Sequence, residues 1–244
     1  MTCNVTLLHG DCLERMKEIP DGSIDMVMTD PPYEISDSGG GMMANENRKF
    51  LRQINSLELC KGFDIVSFLD SCTPLFKNKQ YWCGVFFCSL KQIHYYLNYA
   101  IENNLQYGLG VWYKTNPTPL CHNKYLNDLE YWIYIKGSKS RIMGDYSTKS
   151  LAYLSKINIT DKKIYGHPTI KPLDLIEKFL INHTIEGNTI LDPFMGSGST
   201  GVSCKNLNRN FIGIELDETY FNIAKERIEK ETPISNLDDL LFLN

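Results

Sequence analysis

Residues 30–33 of the chain read Asp30-Pro31-Pro32-Tyr33, directly after the apolar run Ile24-Asp25-Met26-Val27-Met28-Thr29. A carboxylate, two ring-locked backbone units and an aromatic face follow one another at the end of a buried strand. The prolines fix φ and so aim the Pro31 carbonyl. Asp30 and that carbonyl make a pair of acceptors for the two N–H bonds of a planar amino group. Such an amine on a heteroaromatic ring is a poor nucleophile, because its lone pair is delocalised into the ring. Accepting both N–H bonds draws the nitrogen toward tetrahedral geometry and frees the pair. Tyr33 adds a face on which an extruded ring can stack. The plainer alternative is a turn that ends a strand, which prolines also favour.

A second motif lies far along the chain. Asn188-Thr189-Ile190-Leu191-Asp192-Pro193-Phe194-Met195-Gly196-Ser197-Gly198-Ser199-Thr200-Gly201 reads as a strand, a glycine-rich turn and the start of a helix, and Glu215-Leu216 closes the next strand. Taken literally the glycines satisfy a dinucleotide fingerprint, with Glu215 placed to accept ribose hydroxyls. The shared physics is a backbone that can approach a ligand and a helix N-terminus with unpaired N–H groups. No Lys follows the glycines, which disfavours a P-loop. The lead-in Asp192-Pro193-Phe194 puts an acid where a pyrophosphate would be repelled and an ammonium group favoured.

The combination resembles the S-adenosylmethionine-dependent amino-methyltransferases of DNA, whose cofactor segment commonly runs Asp-Pro-Phe-x-Gly-Ser-Gly-Thr. Gly166-His167-Pro168-Thr169-Ile170-Lys171-Pro172 is similar to the family's His-Pro-Thr-Gln-Lys-Pro element, with Ile170 in place of the usual Gln. Gly10-Asp11-Cys12 is similar to its adenine-binding turn; an alternative role for Asp11 is a helix N-cap. The resemblance implies that Asp30, Pro31, Pro32 and Tyr33 act on the target amine. It implies that S-adenosylmethionine is held by Asp11, Cys12, Asp30, His167, Thr169, Lys171, Asp192, Pro193, Phe194, Gly196, Gly198, Ser199, Thr200, Glu215 and Leu216. The tetrapeptide precedes the glycine turn, the permuted order of the β class of that family.

Within that family an aspartate opening the tetrapeptide leans toward adenine N6 and a serine toward cytosine N4. Adenine-N6 methylation is therefore the expectation, and cytosine-N4 methylation the nearest alternative. C5 methylation of a pyrimidine needs a thiol nucleophile, and no Pro-Cys pair occurs. Two readings from other classes stay open: a non-catalytic DNA-binding or partner subunit on the same fold, and a nicotinamide-dependent oxidoreductase.

These residues require a scaffold that brings several strand ends together. Apolar runs mark strands at 5–8, 24–29, 81–88, 105–113, 129–136, 189–192 and 211–214, with helical spacing at 11–18, 64–77, 91–104, 173–183, 199–206 and 217–230. This alternation predicts an α/β fold: a Rossmann-like, seven-stranded mixed sheet with helices on both faces. One domain over 1–244 is expected. The polar stretches 34–62 and 114–165 are left for target recognition, and 231–244 for an acidic tail.

The net charge of −4 is awkward for a ligand of phosphates, so charge distribution matters more than its total. Between Lys136 and Lys163 seven basic residues face two acidic ones, a local basic stretch suited to double-stranded DNA. An acidic chain with one such stretch suggests a homodimer on the duplex, and the resemblance adds a restriction endonuclease as a possible partner. The eight cysteines form no Cys-x-x-Cys pair, which points to reduced core thiols and no metal. With no signal peptide or membrane span in the sequence, a soluble cytoplasmic protein of bacterial or phage type is expected.

Overall fold

The computed structural model describes residues 3–32, 63–117, 125–157 and 170–230. Tyr33, His167, Thr169, the segment 34–62, the tail 231–244 and part of the stretch 114–165 lie outside the described residues. In chain order the elements are β1 (Val5–His9), α1 (Cys12–Met16), β2 (Met26–Thr29), α2 (Ile65–Cys72), β3 (Cys83–Cys88) and α3 (Ile93–Glu102). They continue with β4 (Gln106–Lys114), β5 (Leu129–Lys136), β6 (Ala152–Ser155), α4 (Leu173–His183), β7 (Thr189–Asp192), α5 (Ser199–Asn206), β8 (Asn210–Glu215) and α6 (Glu218–Lys230). The strands form one sheet in the order β1-β8-β7-β2-β3-β5-β4-β6. Its first five members in that order are parallel. β5 runs antiparallel to both β3 and β4, and β6 is parallel to β4.

Every residue of β2 and β3 is buried, as expected of central parallel strands covered on both faces, which read as continuous apolar runs. Helices α1, α2 and α3 pack together, and α4, α5 and α6 form a second group. The crossovers β2-α2-β3 and β7-α5-β8 run in opposite directions along the sheet, so right-handed connection places their helices on opposite faces. α2 starts where the Asp64 carboxylate accepts from the N–H groups of Val66 (3.0 Å) and Ser67 (3.1 Å), and it stops before Pro74. The described cysteines are free thiols, all buried except the half-buried Cys3. Among the described residues no helix is long and apolar enough to cross a membrane.

The sheet has eight strands where the sequence pattern marks seven. The extra one, β6, alternates between exposed and half-buried residues and lies on the sheet edge. It exists because β4 offers it a partner over Val111–Lys114, a pairing that no local periodicity announces. Around it, the Trp112 indole donates to Ser155 Oγ (3.0 Å) and Asn116 Oδ1 accepts from Ile157 N–H (2.6 Å). Trp112 is a buried core aromatic, and Asn116 joins two chain segments.

The order of connections locates a crevice. From β2 the chain crosses to β3 on one side, and from β7 it crosses to β8 on the other. Neighbouring β2 and β7 thus flank the point where winding reverses, and ligands of open α/β sheets bind outside the carboxyl ends of the strands at that point.

Candidate active site

All four strands on that side of the sheet finish in an acid at their carboxyl ends. In spatial order these are Asp11 after β1, Glu215 of β8, Asp192 of β7 and Asp30 after β2. Four carboxylates along one edge suit a cationic ligand rich in hydroxyl and amino donors. A pyrophosphate would meet them with like charge, which weakens the dinucleotide reading.

The cofactor half is built by hydrogen bonds from backbone and hydroxyl groups. Gly10, at φ 141°, crosses from β1 toward β8 and donates its N–H to the Glu215 carbonyl (2.9 Å). Asp11 caps α1 by accepting from Glu14 N–H (3.1 Å) and remains exposed, so capping and ligand contact are compatible. Cys12 is buried beneath it, and burial followed by the Asp11 charge pushes its thiol up to about 12. The Glu215 carboxylate accepts from Gly196 N–H (2.9 Å) and Asp217 N–H (2.8 Å), tying the glycine turn to the start of α6. Burial raises its proton affinity, and those two N–H groups oppose the rise. Leu216 is exposed beside it, and its carbonyl lies 3.0 Å from His9 Nε2.

Asp192 is only 3% exposed and faces inward. Its Oδ1 accepts from Thr29 Oγ1 (2.6 Å) and Phe194 N–H (3.2 Å), and its Oδ2 from Thr200 Oγ1 (2.6 Å). One side chain thereby clamps β2, β7 and α5 at the crevice. Burial pushes its carboxyl up to about 6 in spite of these donors. Gly196 and Gly198 take φ of 51° and 81°, which glycine adopts without strain. A Cβ on Gly198 would stand 3.0 Å from the Ala224 side chain, and one on Gly201 would stand 2.3 Å from Ile228, so α6 can close down on the turn. Beneath the turn, the buried Arg227 donates to Ser199 Oγ (3.0 Å) and the Ser197 carbonyl (3.2 Å). The hydroxyls of Ser199 and Thr200 therefore hold the loop. Pro193 is buried, and half-buried Phe194 packs its ring 5.3 Å from Phe63 and 5.6 Å from Phe68.

The half of the site around Asp30 is built from charge. Asp30 leaves β2 one residue after Thr29, the hydroxyl donor to Asp192, so the two acids of the crevice are fixed relative to each other. Lys171 Nζ sits 2.5 Å from Asp30 Oδ2 and 2.6 Å from Glu130 Oε1, and Glu130 Oε2 lies 2.7 Å from Lys114 Nζ. Lys171, expected among the cofactor contacts, pairs here with the Asp30 carboxylate, over the Phe87 ring at 4.6 Å. Burial alone would raise the Glu130 carboxyl, yet Lys171 and Lys114 hold it down to about 2. Pro31 is buried, and the carbonyl of half-buried Pro32 accepts from Gln92 Nε2 (3.0 Å). Gln92 is itself locked, its Oε1 accepting from Ser89 N–H and Oγ, both at 3.0 Å.

The described geometry thus gathers Asp11, Asp30, Pro31, Pro32, Lys171, Asp192, Glu215 and the glycine turn along one edge of the sheet. Reasoning from sequence missed Thr29, Gln92, Lys114 and Glu130. Lys114 and Glu130 left a trace: each is a charged residue beside the apolar Trp112-Tyr113 and Tyr131-Trp132 pairs of a core strand. Gln92 and Thr29 left none, because a single polar residue at an element end is commonplace.

Comparison with known proteins agrees with this geometry. A family model described as DNA methylase, of the N6/N4 methyltransferase type, matches residues 24–226. The type II methyltransferase M2.LlaDCHI of Lactococcus lactis subsp. cremoris is 30% identical over 93% of this chain and 90% of its own. The type II methyltransferase M.HinfI of Haemophilus influenzae is 30% identical over 98% of this chain and 72% of its own. A solved structure of an M1.HpyAVI–SAM complex superposes with a TM-score of 0.70 at 31% identity, covering 92% of this chain and 98% of that one. With Asp30-Pro31-Pro32 at the winding reversal and the glycine turn beside it, the chain belongs to the N6/N4 DNA methylase family.

Proposed function

We propose that this S-adenosylmethionine-dependent DNA methyltransferase modifies the N6 amine of an adenine extruded from double-stranded DNA at a specific sequence. The observation that carries the reading is Asp30, held at the β2 end beside the crevice by a buried ammonium, with the adjoining proline backbone fixed by Gln92. Asp30 and the Pro31 carbonyl accept the two N–H bonds of the amine, and Tyr33 stacks on the base. Asp11 accepts from the cofactor's adenine amine, and Glu215 takes the ribose hydroxyls. The glycine turn with Asp192 shapes the space for the methionine end, to which His167 and Thr169 contribute. Bound there, S-adenosylmethionine would supply a methyl group on a positive sulfur, which takes the C–S electron pair as the methyl passes to the amine nitrogen, and the N–H proton released would pass by way of Asp30 to water. The chain's part is orientation, worth far more than proton transfer in an in-line displacement.

The segments 34–62 and 114–165 read the target bases. Lys139, Arg141, Lys149 and Lys156 are all exposed and supply phosphate contacts. A homodimer on the duplex and a restriction endonuclease sharing its site complete the reading, supported by the charge pattern and by the type II relatives. Nucleoside analysis and sequencing of DNA modified by the purified protein test it. N6-methyladenine in one sequence context is expected; N4-methylcytosine would replace the base assignment and keep the mechanism.

A further inference from the structure

Asp30, Lys171, Glu130 and Lys114 form a row of alternating charge that runs from the active site outward along β5 and β4. Their side chains are 21%, 7%, 15% and 16% exposed, so the row is largely withdrawn from water, most completely at Lys171. Each contact is made through a different oxygen or by a shared ammonium, and no two like charges touch. We propose that Glu130 and Lys114 are positioning residues for methyl transfer: they divide the field of Lys171 so that Asp30 stays ionised yet keeps enough negative charge to accept from the target amine. The proposal rests on Asp30 being the acceptor of that amine.

The argument is one of counter-charge. An ammonium facing a single buried carboxylate gives that carboxylate its whole field and takes up its lone pairs, leaving a weak acceptor. Glu130 draws part of that field toward itself. Lys114 in turn compensates Glu130, which otherwise would pull Lys171 off Asp30. The strand pairing makes this arrangement rigid: Trp112 of β4 stands opposite Glu130 of β5, while Tyr131 of β5 stands opposite Cys88 of β3. The Lys114 ammonium also lies 5.1 Å from the Trp112 ring centroid and the Lys171 ammonium 4.6 Å from that of Phe87, fixing both cations from the side.

Other ionisable groups face Asp30 from the packed elements. Cys88 of β3 and Tyr96 of α3 are kept neutral by burial, and Asp192 of β7 titrates near 6. The informative measurement is therefore the displacement of the Asp30 titration between variants. Coulomb's law assigns the directions. Removing a positive charge, in Lys171→Met or Lys114→Met, moves it to higher pH, with Lys171 the larger effect. Removing the negative charge, in Glu130→Gln, moves it to lower pH.

The experiment follows the Asp30 carboxyl by carbon NMR in the full chain, assigned with Asp30→Asn, beside calorimetry with S-adenosylmethionine and single-turnover methyl transfer. Opposite displacements for Lys114→Met and Glu130→Gln are expected, with cofactor affinity changed less than about 3-fold and transfer slowed about 10-fold to 100-fold, the scale of a misplaced reacting group. Displacements of the same sign, or none, overturn the proposal. A loss of cofactor affinity matching the loss of rate in Glu130→Gln also overturns it, by moving the row to the cofactor site. The Lys114 and Glu130 variants carry the test if Lys171→Met does not fold. Opposite displacements in the two variants, together with a wild-type chain that binds S-adenosylmethionine but transfers no methyl group to DNA, would sink the functional reading alone.

Discussion

Asp192, buried, and Glu130, half-buried, are acids of one sheet, and they behave in opposite ways. Asp192, at the end of β7, accepts from two hydroxyls and one backbone N–H and is still pushed up to about 6 from an ordinary 3.8. Glu130, on β5, has two ammonium partners and is held down to about 2 from 4.5. Neutral donors offset only part of the cost of burying a charge, whereas counter-charges of good geometry exceed it. The same contrast divides the site. Glu215, like Asp192, accepts from neutral donors and is raised by burial, so the side of the site formed by β7 and β8 holds its carboxylates with hydroxyl and N–H groups in place of cations. The side around Asp30 carries its own cations.

The sharpest break in that contrast is Asp30→Ala. It removes the acceptor on the ion-paired side only, so methyl transfer should be lost while S-adenosylmethionine still binds. A bond to a charged acceptor is worth about 1.5–3 kcal/mol, and misplacing the amine adds to that. Near-normal single-turnover rates would show that the ion-paired side does not carry the chemistry.

Next in size is Glu130→Ala, which removes the carboxylate between Lys171 and Lys114 and leaves Lys171 with Asp30 while Lys114 loses its partner in the row. Breaking one partner out of such a group costs about 3–5 kcal/mol, readable as a lower denaturation midpoint. The sign with pH follows from the lowered titration. Glu130 contributes stability above its unfolded value of 4.5 that is lost as pH falls toward about 2. Equal stability of wild type and variant at neutral pH would mean that the row contributes nothing net.

Asp192 runs the other way. Its raised titration means that the folded chain binds the extra proton between 3.8 and about 6, so stability from this group is gained as pH falls through that window and lost as pH rises through it. The full swing is about 3 kcal/mol on the scale of 1.36 kcal/mol per pH unit. Asp192→Asn keeps the shape of the clamp and should flatten stability across that window in chemical denaturation at several pH values. A slope identical to that of wild type would assign the window to other acids.

The smallest expected effect is that of Glu215→Ala on cofactor affinity. Loss of a charged acceptor for ribose hydroxyls should weaken S-adenosylmethionine binding by about 10-fold, or about 1.4 kcal/mol. Glu215 also ties Gly196 to Asp217, so the comparison belongs with a variant shown to be folded. Unchanged affinity by calorimetry would leave it as a structural tie.

Much of the architecture was legible because parallel βα units write themselves locally. An apolar run, a capping residue such as Asp64 and a helix of regular spacing need only their own segment to be recognised, and seven strands were marked this way. Asp30-Pro31-Pro32-Tyr33 and Asp192-Pro193-Phe194 were legible for the same reason: each is a strand end with its chemistry attached. The edge strand β6 was not, since its reason for existing is the free edge of β4. Nor was the contact of Glu130 with Lys114, which joins two strands, or that of Lys171, itself marked in the sequence, with Asp30 across more than half of the chain.

The sequence by itself therefore determined the class of fold, the acids at the strand ends and the kind of reaction, because these depend on residue type and short spacing. Tertiary structure alone decided which acids acquire a counter-charge. Asp192 and Glu130 are both largely withdrawn from water, and both are flanked by apolar residues in the chain. Only the sheet order, which sets β5 beside β3 and brings Lys171 over Phe87, makes one of them a proton-binding clamp and the other a permanent anion. Electrostatic energy depends on distance through space, and sequence separation carries little information about that distance.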